Sequence, residues 1–279
     1  MKHLVKSAIH GLYKYSGAMS AQEHLAFWSG RRFMSVTLFH RVTDAIPPDG
    51  LTVTTAWFRE FCQLMRDRFN VVPLAEVHRI LMTGATPPPR TVAITFDDCY
   101  RDNLFAARVL AEHGLPATFF IPTQYVGTEH VFPWDHDLPR MPNLDWRDTR
   151  EMQRLGHEIG SHSVSHPDFG TIGPDEARRE LAESKRILED LLQTPVRWFA
   201  YPFGGKSNFR PAYLPLVHEL GYDACFSAYN GFIEPSLRGK ILPREAMPYF
   251  RSIGHLELHL SGCLDWVYRC KSRVGLLGV

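Results

Sequence analysis

Residues 91–121 read TVAITFDDCYRDNLFAARVLAEHGLPATFFI. Thr91 to Phe96 is an unbroken β-prone and mostly apolar run, which predicts a strand buried on both faces. Asn103 to His113 has the length and composition of a helix, and Gly114 supplies its stop. Ala117 to Ile121 then returns to a short apolar run, a second strand. Strand, helix and strand in this order build a parallel pair with the helix packed outside it.

The alternation continues on both sides. Ser35 to Phe39 reads as a strand, and Trp57 to Phe69 as a helix with Phe58, Phe61, Leu64 and Met65 on one side. After an irregular stretch from Pro122 to Asp148, a helix around Thr149 to Leu155 leads into a strand at His157 to Gly160. Pro174 to Leu192 is the clearest helix. It has Pro174 in its first turn, Asp175 and Glu176 near the positive end, and a stripe of Ala177, Leu181, Ser184, Leu188 and Leu191. Strands at Arg197 to Tyr201 and Tyr222 to Ser227 follow. Such alternation predicts an α/β fold with a mostly parallel sheet, either a barrel or an open doubly wound sheet. In both, chemistry gathers where strand C-termini meet loops.

Composition narrows the function classes. At 279 residues, 44% of them hydrophobic, the chain can bury one large core. A formal net charge of +1 lacks the basic excess of a nucleic-acid binder. Five cysteines without a CxxC pair fit neither a disulfide framework nor a cysteine zinc knuckle, and suggest a reducing compartment. There is no GxGxxG and no GxxxxGK[ST] phosphate cradle. No run approaches the roughly 18 to 20 apolar residues of a membrane span. Leu4, Val5, Ala8, Ile9, Leu12 and Tyr13 have helical spacing, opposite Lys2, Lys6, His10 and Lys14. The expected organisation is an amphipathic helical segment at 1–33, a catalytic domain at 34–250 and a helical, basic tail at 251–279. Its expected location is the cytoplasm, with peripheral contact at the inner face of the membrane or with a lipid-linked substrate.

Three stretches fall at strand ends: Asp97-Asp98, His162 with His166, and Pro202-Phe203-Gly204-Gly205. Two imidazoles and one carboxylate make a metal site with a coordination position left open, and a second carboxylate can move protons. This reading assigns Asp98 to the metal and Asp97 to the proton. His162 and His166 are four apart, as on one helix face or in a tight loop that folds both rings inward. His255 and His259 share that spacing without glycine or an acid motif nearby, and read as structural.

The segments TFDDCYRDN, HEIGSHSVSH and FAYPFGG resemble the successive motifs of the polysaccharide deacetylases, the NodB-homology group of carbohydrate esterase family four. The likeness covers about residues 35 to 250. It implies a distorted, incomplete (β/α) barrel that removes acetyl groups from sugars with one divalent metal, zinc first, with cobalt, nickel or iron as alternatives. Carried onto this chain, it implies Asp97 as base, Asp98, His162 and His166 as metal ligands, and the backbone N–H of Phe203 as oxyanion donor. The implied partner is an N-acetylated sugar or glycan of the cell envelope or an exopolysaccharide. The alternatives are a deformylase or O-deacetylase of a lipid-linked sugar, and a non-catalytic carbohydrate-binding protein.

This sequence departs from the family pattern in three places. Cys99 stands where many members have glycine, so that backbone position is expected to accept a Cβ. Ala200 stands where an arginine usually holds the base; Arg244 is the first candidate to replace it, with Arg41 and Arg101 behind. The usual late Leu-x-His is missing. Leu38-Phe39-His40-Arg41-Val42 instead looks like the segment of the exopolysaccharide branch whose histidine serves as acid, which points to His40. Its pKa is expected to be raised by a neighbouring carboxylate. Trp134, Asp135 and His136, in the irregular stretch, are candidates to line a sugar subsite.

Overall fold

The computed structural model describes residues 33–250 and 252–262, so the expected N-terminal segment, apart from Phe33, and the basic end of the expected tail lie outside the described residues. In chain order the strands are β1 (Ser35–Phe39), β2 (Arg41–Val42), β3 (Thr52–Val53), β4 (Asn70–Val71), β5 (Thr91–Phe96), β6 (Thr118–Ile121), β7 (Glu158–Ser161), β8 (Trp198–Ala200), β9 (Ala224–Phe226) and β10 (Glu245–Ala246). The helices are α1 (Thr55–Arg68), α2 (Leu74–Thr83), α3 (Asp102–Glu112), α4 (Trp146–Arg154), α5 (Pro174–Leu192), α6 (Leu214–Glu219) and α7 (Ile253–Leu260).

All six residues of β5 are buried, as a central parallel strand covered on both faces requires. The main sheet runs β10-β1-β5-β6-β7-β8-β9 with every pair parallel, and β4 sits beside the first two residues of β5. The sheet curls until one short run touches both of its edges. Leu242 N–H donates to Cys225 O and Ser227 N–H to Leu242 O, both at 2.9 Å, while Glu245 and Ala246 pair with Thr37 and Leu38. A single bridge on one side and two residues on the other make the closure. This is the distorted, incomplete (β/α) barrel expected from the sequence.

Strand alternation splits the core in two. Phe39, Phe96, Phe119 and Phe199 pack outward against Phe58, Leu110 and Leu181 of the surrounding helices. Val36, Ala93, Phe120, Trp198 and Phe226 fill the inside, joined by Leu74, Val77, Ile80 and Leu81 of α2. Gly160 in β7 is a packing requirement, because a Cβ there would sit 2.5 Å from the Phe120 ring.

Several helix boundaries differ from those read off the sequence. α4 begins at Trp146, ahead of the expected Thr149, because Asp145 caps it by accepting from Arg147 and Asp148 N–H while Asp148 accepts from Asp145 N–H. α2 and α6, short and led by Pro73 and Pro211-rich turns, were not anticipated. In α5 the buried stripe ends on Leu192, in place of Leu191, and includes Glu180. Part of the expected tail is core: Leu256 and Leu260 of α7 are buried, and Glu257 accepts from Arg68 at 3.1 Å. His259 Nε2 lies 3.0 Å from Glu245 Oε2, a structural contact between α7 and β10.

Candidate active site

Asp97 and Asp98 follow β5 directly. Asp97 N–H donates to Phe39 O at 2.9 Å, which prolongs the β1–β5 ladder to the base of the site. Asp98 and Cys99 then take φ of +77° and +54°. From the sequence, position 99 is expected to suit a Cβ. The structure puts Cys99 in the left-handed region, where a non-glycine residue costs about 1–2 kcal/mol. Strain of this kind persists where the surroundings over-determine it; here Leu144 N–H donates to Cys99 O at 2.8 Å.

His162 follows β7 directly, and His166 sits in a tight loop, settling the choice between loop and helix. Ser163 and His166 have φ of +68° and +57°, and Ser163 Oγ accepts from His166 N–H at 3.0 Å. The buried carboxylate of Glu180, reaching from α5, accepts from Val164 N–H and Ser165 N–H at 2.9 Å and from Ser165 Oγ at 2.8 Å. Composition alone did not reveal this residue. A charged side chain three positions after Ala177, on the apolar stripe of α5, was the available signal.

The structure brings Asp98, His162 and His166 to one point. Asp98 Oδ1 lies 3.3 Å from His162 Nε2 and 3.2 Å from His166 Nε2, and among the described residues it has no hydrogen-bond donor. Their ligating atoms all lie within 4.8 Å of one another, and all three residues are buried. His162 Nδ1 is 2.8 Å from Ala200 O, an acceptor, so that nitrogen carries the proton and Nε2 turns a lone pair to the centre. An orphaned buried carboxylate oxygen beside oriented imidazoles fits a divalent cation with N/O ligands. Burial alone would raise the Asp98 carboxyl, but His162, His166 and His40 hold it well below the ordinary carboxylate value.

Asp97 is gripped from the far side of the sheet closure. Arg244, fully buried just ahead of β10, donates Nη1 to Asp97 Oδ1 at 2.8 Å and Nη2 to Oδ2 at 2.7 Å. It also donates to Thr95 Oγ1 at 3.2 Å and Ser227 O at 2.7 Å. Burial would raise the Asp97 carboxyl, yet Arg244 and His162 outweigh it and keep the group below its usual value. Arg41 and Arg101 lie elsewhere: Arg41 is paired with Asp49 and Asp135, Arg101 with Asp148.

His40, just past β1, lines the same cleft, with Nε2 3.9 Å from Asp98 Oδ2. Its pKa moves down, not up as expected, because burial outweighs the pull of Asp98 and Asp97. Phe203 has φ of +60°, the residue is 49% exposed, and its N–H finds no acceptor among the described residues. The cleft is about 300 Å³ and is lined also by Gly50, Leu51 and Trp134. The three neighbours in the irregular stretch divide: Trp134 faces the cleft, Asp135 is buried in an ion pair, and His136 is exposed.

A family model described as polysaccharide deacetylase matches residues 84–225 of this chain. The chain belongs to the polysaccharide deacetylase family. Among curated relatives of this chain, a chitooligosaccharide deacetylase of Bradyrhizobium is 31% identical over 139 residues, covering 48% of this chain and 54% of the relative. A peptidoglycan-N-acetylglucosamine deacetylase of Bacillus cereus is 28% identical over 142 residues, 50% of this chain and 46% of that protein. The chain thus spans about half the length of these relatives. The Streptococcus pyogenes deacetylase PplD, solved with acetate, shares the fold at a TM-score of 0.65 and 23% identity, covering 77% of this chain and 92% of that one.

Proposed function

We propose that this deacetylase is a metal-dependent hydrolase that removes N-acetyl groups from an amino-sugar-containing glycan or glycan precursor of envelope or exopolysaccharide metabolism. The observation that carries the reading is the pairing of a buried Asp98–His162–His166 cluster with a separate carboxylate, Asp97, clamped at both oxygens. Asp98, His162 and His166 would hold one divalent cation, zinc by preference, which when bound supplies a Lewis acid that makes water nucleophilic and polarises an acyl oxygen. Asp97, kept ionised by Arg244, takes the proton of the attacking water. Phe203 N–H, free to donate, stabilises the developing oxyanion. His40, in the same cleft, is assigned to pass a proton to the departing amine; because burial favours its neutral ring, that proton must be taken up during the reaction and not held beforehand.

A non-catalytic reading has two grounds, the alanine at position 200 and the missing late histidine; Arg244, whose guanidinium meets both oxygens of Asp97, speaks against the first. Acetate release from acetylated chito-oligomers, with and without chelator, tests the proposal. The expected result is release that chelation abolishes and added zinc or cobalt restores. Asp97→Asn should bind metal yet lose about 10²–10⁴-fold in rate, whereas His162→Ala loses metal and activity together. Full turnover by Asp97→Asn would refute the role given to it.

A further inference from the structure

A second network of buried charge in the molecule runs through residues that the reaction does not use. Arg41, next to His40 and only 1% exposed, spends its guanidinium on three partners. It donates to Asp135, to Asp49 Oδ2 at 2.9 Å and to Thr52 Oγ1 at 2.9 Å. Asp135, 3% exposed, accepts at its other oxygen from the Tyr100 hydroxyl at 2.5 Å. Tyr100 in turn accepts from Trp134 Nε1 at 3.0 Å. The chain of bonds therefore begins at Asp49, beside Gly50 and Leu51 on one side of the cleft, and ends at Trp134, another part of its lining.

Both ends meet the chemistry. Trp134 packs 5.5 Å from the His166 ring and 5.8 Å from Phe203, and its N–H is already committed to Tyr100, which fixes the orientation of the indole. Tyr100 stands two residues after Asp98, and its own segment is stitched to the irregular stretch by Arg101 N–H to Pro142 O and Leu144 N–H to Cys99 O, each 2.8 Å. A buried arginine with two carboxylates is a poor source of stability, because well-packed apolar side chains commonly do as well. What such a network does supply is fixed geometry.

We infer that Arg41, Asp135 and Tyr100 form a strut that holds the Gly50–Leu51 wall and the Trp134 wall of the cleft in register, positioning substrate without touching metal, proton or acyl group. These are positioning residues, so their loss weakens substrate binding and leaves the chemical step intact. The kinetic arm of the test rests on the proposed deacetylation; the exchange arm does not.

Tyr100→Phe removes one hydroxyl and is the mild variant; Asp135→Asn breaks the junction itself. With zinc-loaded protein and N,N′,N″-triacetylchitotriose as probe, both are expected to raise KM roughly tenfold, since reordering the loosened side chains is subtracted from binding, with kcat within about threefold of wild type. Bound zinc per chain stays unchanged. Amide hydrogen exchange at Leu51 and Asp135 is expected to quicken in both variants, a readout that needs no turnover. Should wild type release no acetate, the functional reading fails while exchange still decides the strut. Unchanged exchange at Leu51 in both variants overturns the inference, and so does a fall in kcat at constant KM.

Discussion

Arg244→Ala is the perturbation with the largest expected consequence. The side chain is fully buried and makes four hydrogen bonds, two of them to the carboxylate of Asp97. Truncation strands that carboxylate and the Ser227 carbonyl in the protein interior. Removing one partner of a buried pair costs about 3–5 kcal/mol, a large share of an ordinary stability of about 5–15 kcal/mol, so the variant should fold but only marginally. Urea unfolding at neutral pH measures the loss directly. The sign with pH is fixed by the direction of the Asp97 shift. Its folded pKa lies below the reference value of 3.8, so the stabilisation is complete above that reference and disappears as pH falls through the lower, folded-state value. The gap between wild type and variant should therefore narrow in acid. In the pH profile of kcat/KM, the acidic limb of the variant should move to higher pH, because burial is no longer offset by the guanidinium. Arg244→Lys, which keeps charge but not the two-point grip, should fall between the two. A loss below about 1 kcal/mol, set against the cost expected for a broken buried pair, together with an unmoved acidic limb, would show that Arg244 does not clamp the base.

Two further outcomes are expected. Glu180→Ala leaves three donors of the His162–His166 loop without their acceptor, and metal affinity should drop by about 10–100-fold, read by competition with a chromophoric chelator; wild-type affinity would contradict the loop-holding role. Gly160→Ala forces a methyl group against the Phe120 ring and should cost about 1–3 kcal/mol in thermal or urea unfolding, and an unshifted midpoint would mean that the inside of the barrel yields.

Much of the fold was written locally. Thr91–Phe96 and Pro174–Leu192 coincide with observed elements because a long apolar run and a capped amphipathic stripe need only near neighbours to declare themselves. The candidate ligands were legible for the same reason: acids and imidazoles at strand ends carry their chemistry in their identity. What the sequence left open were matters of distance. Whether Arg244, Arg41 or Arg101 would reach Asp97 could not be read from composition, since the chosen partner lies 147 positions away. His40 carried the opposite pKa shift to the one expected, because burial, a property of the assembled cleft, outweighs the carboxylates beside it. Asp135 looked like a sugar contact and lies buried between the Arg41 guanidinium and the Tyr100 hydroxyl. The sequence by itself determined which elements form and which side chains can do chemistry, because those depend on residue type and short-range period. Only the tertiary structure decided which charges share a cavity, because Leu242, Glu245 and Ala246 must bridge both edges of the curled sheet before Arg244 can meet the strand that ends in Asp97.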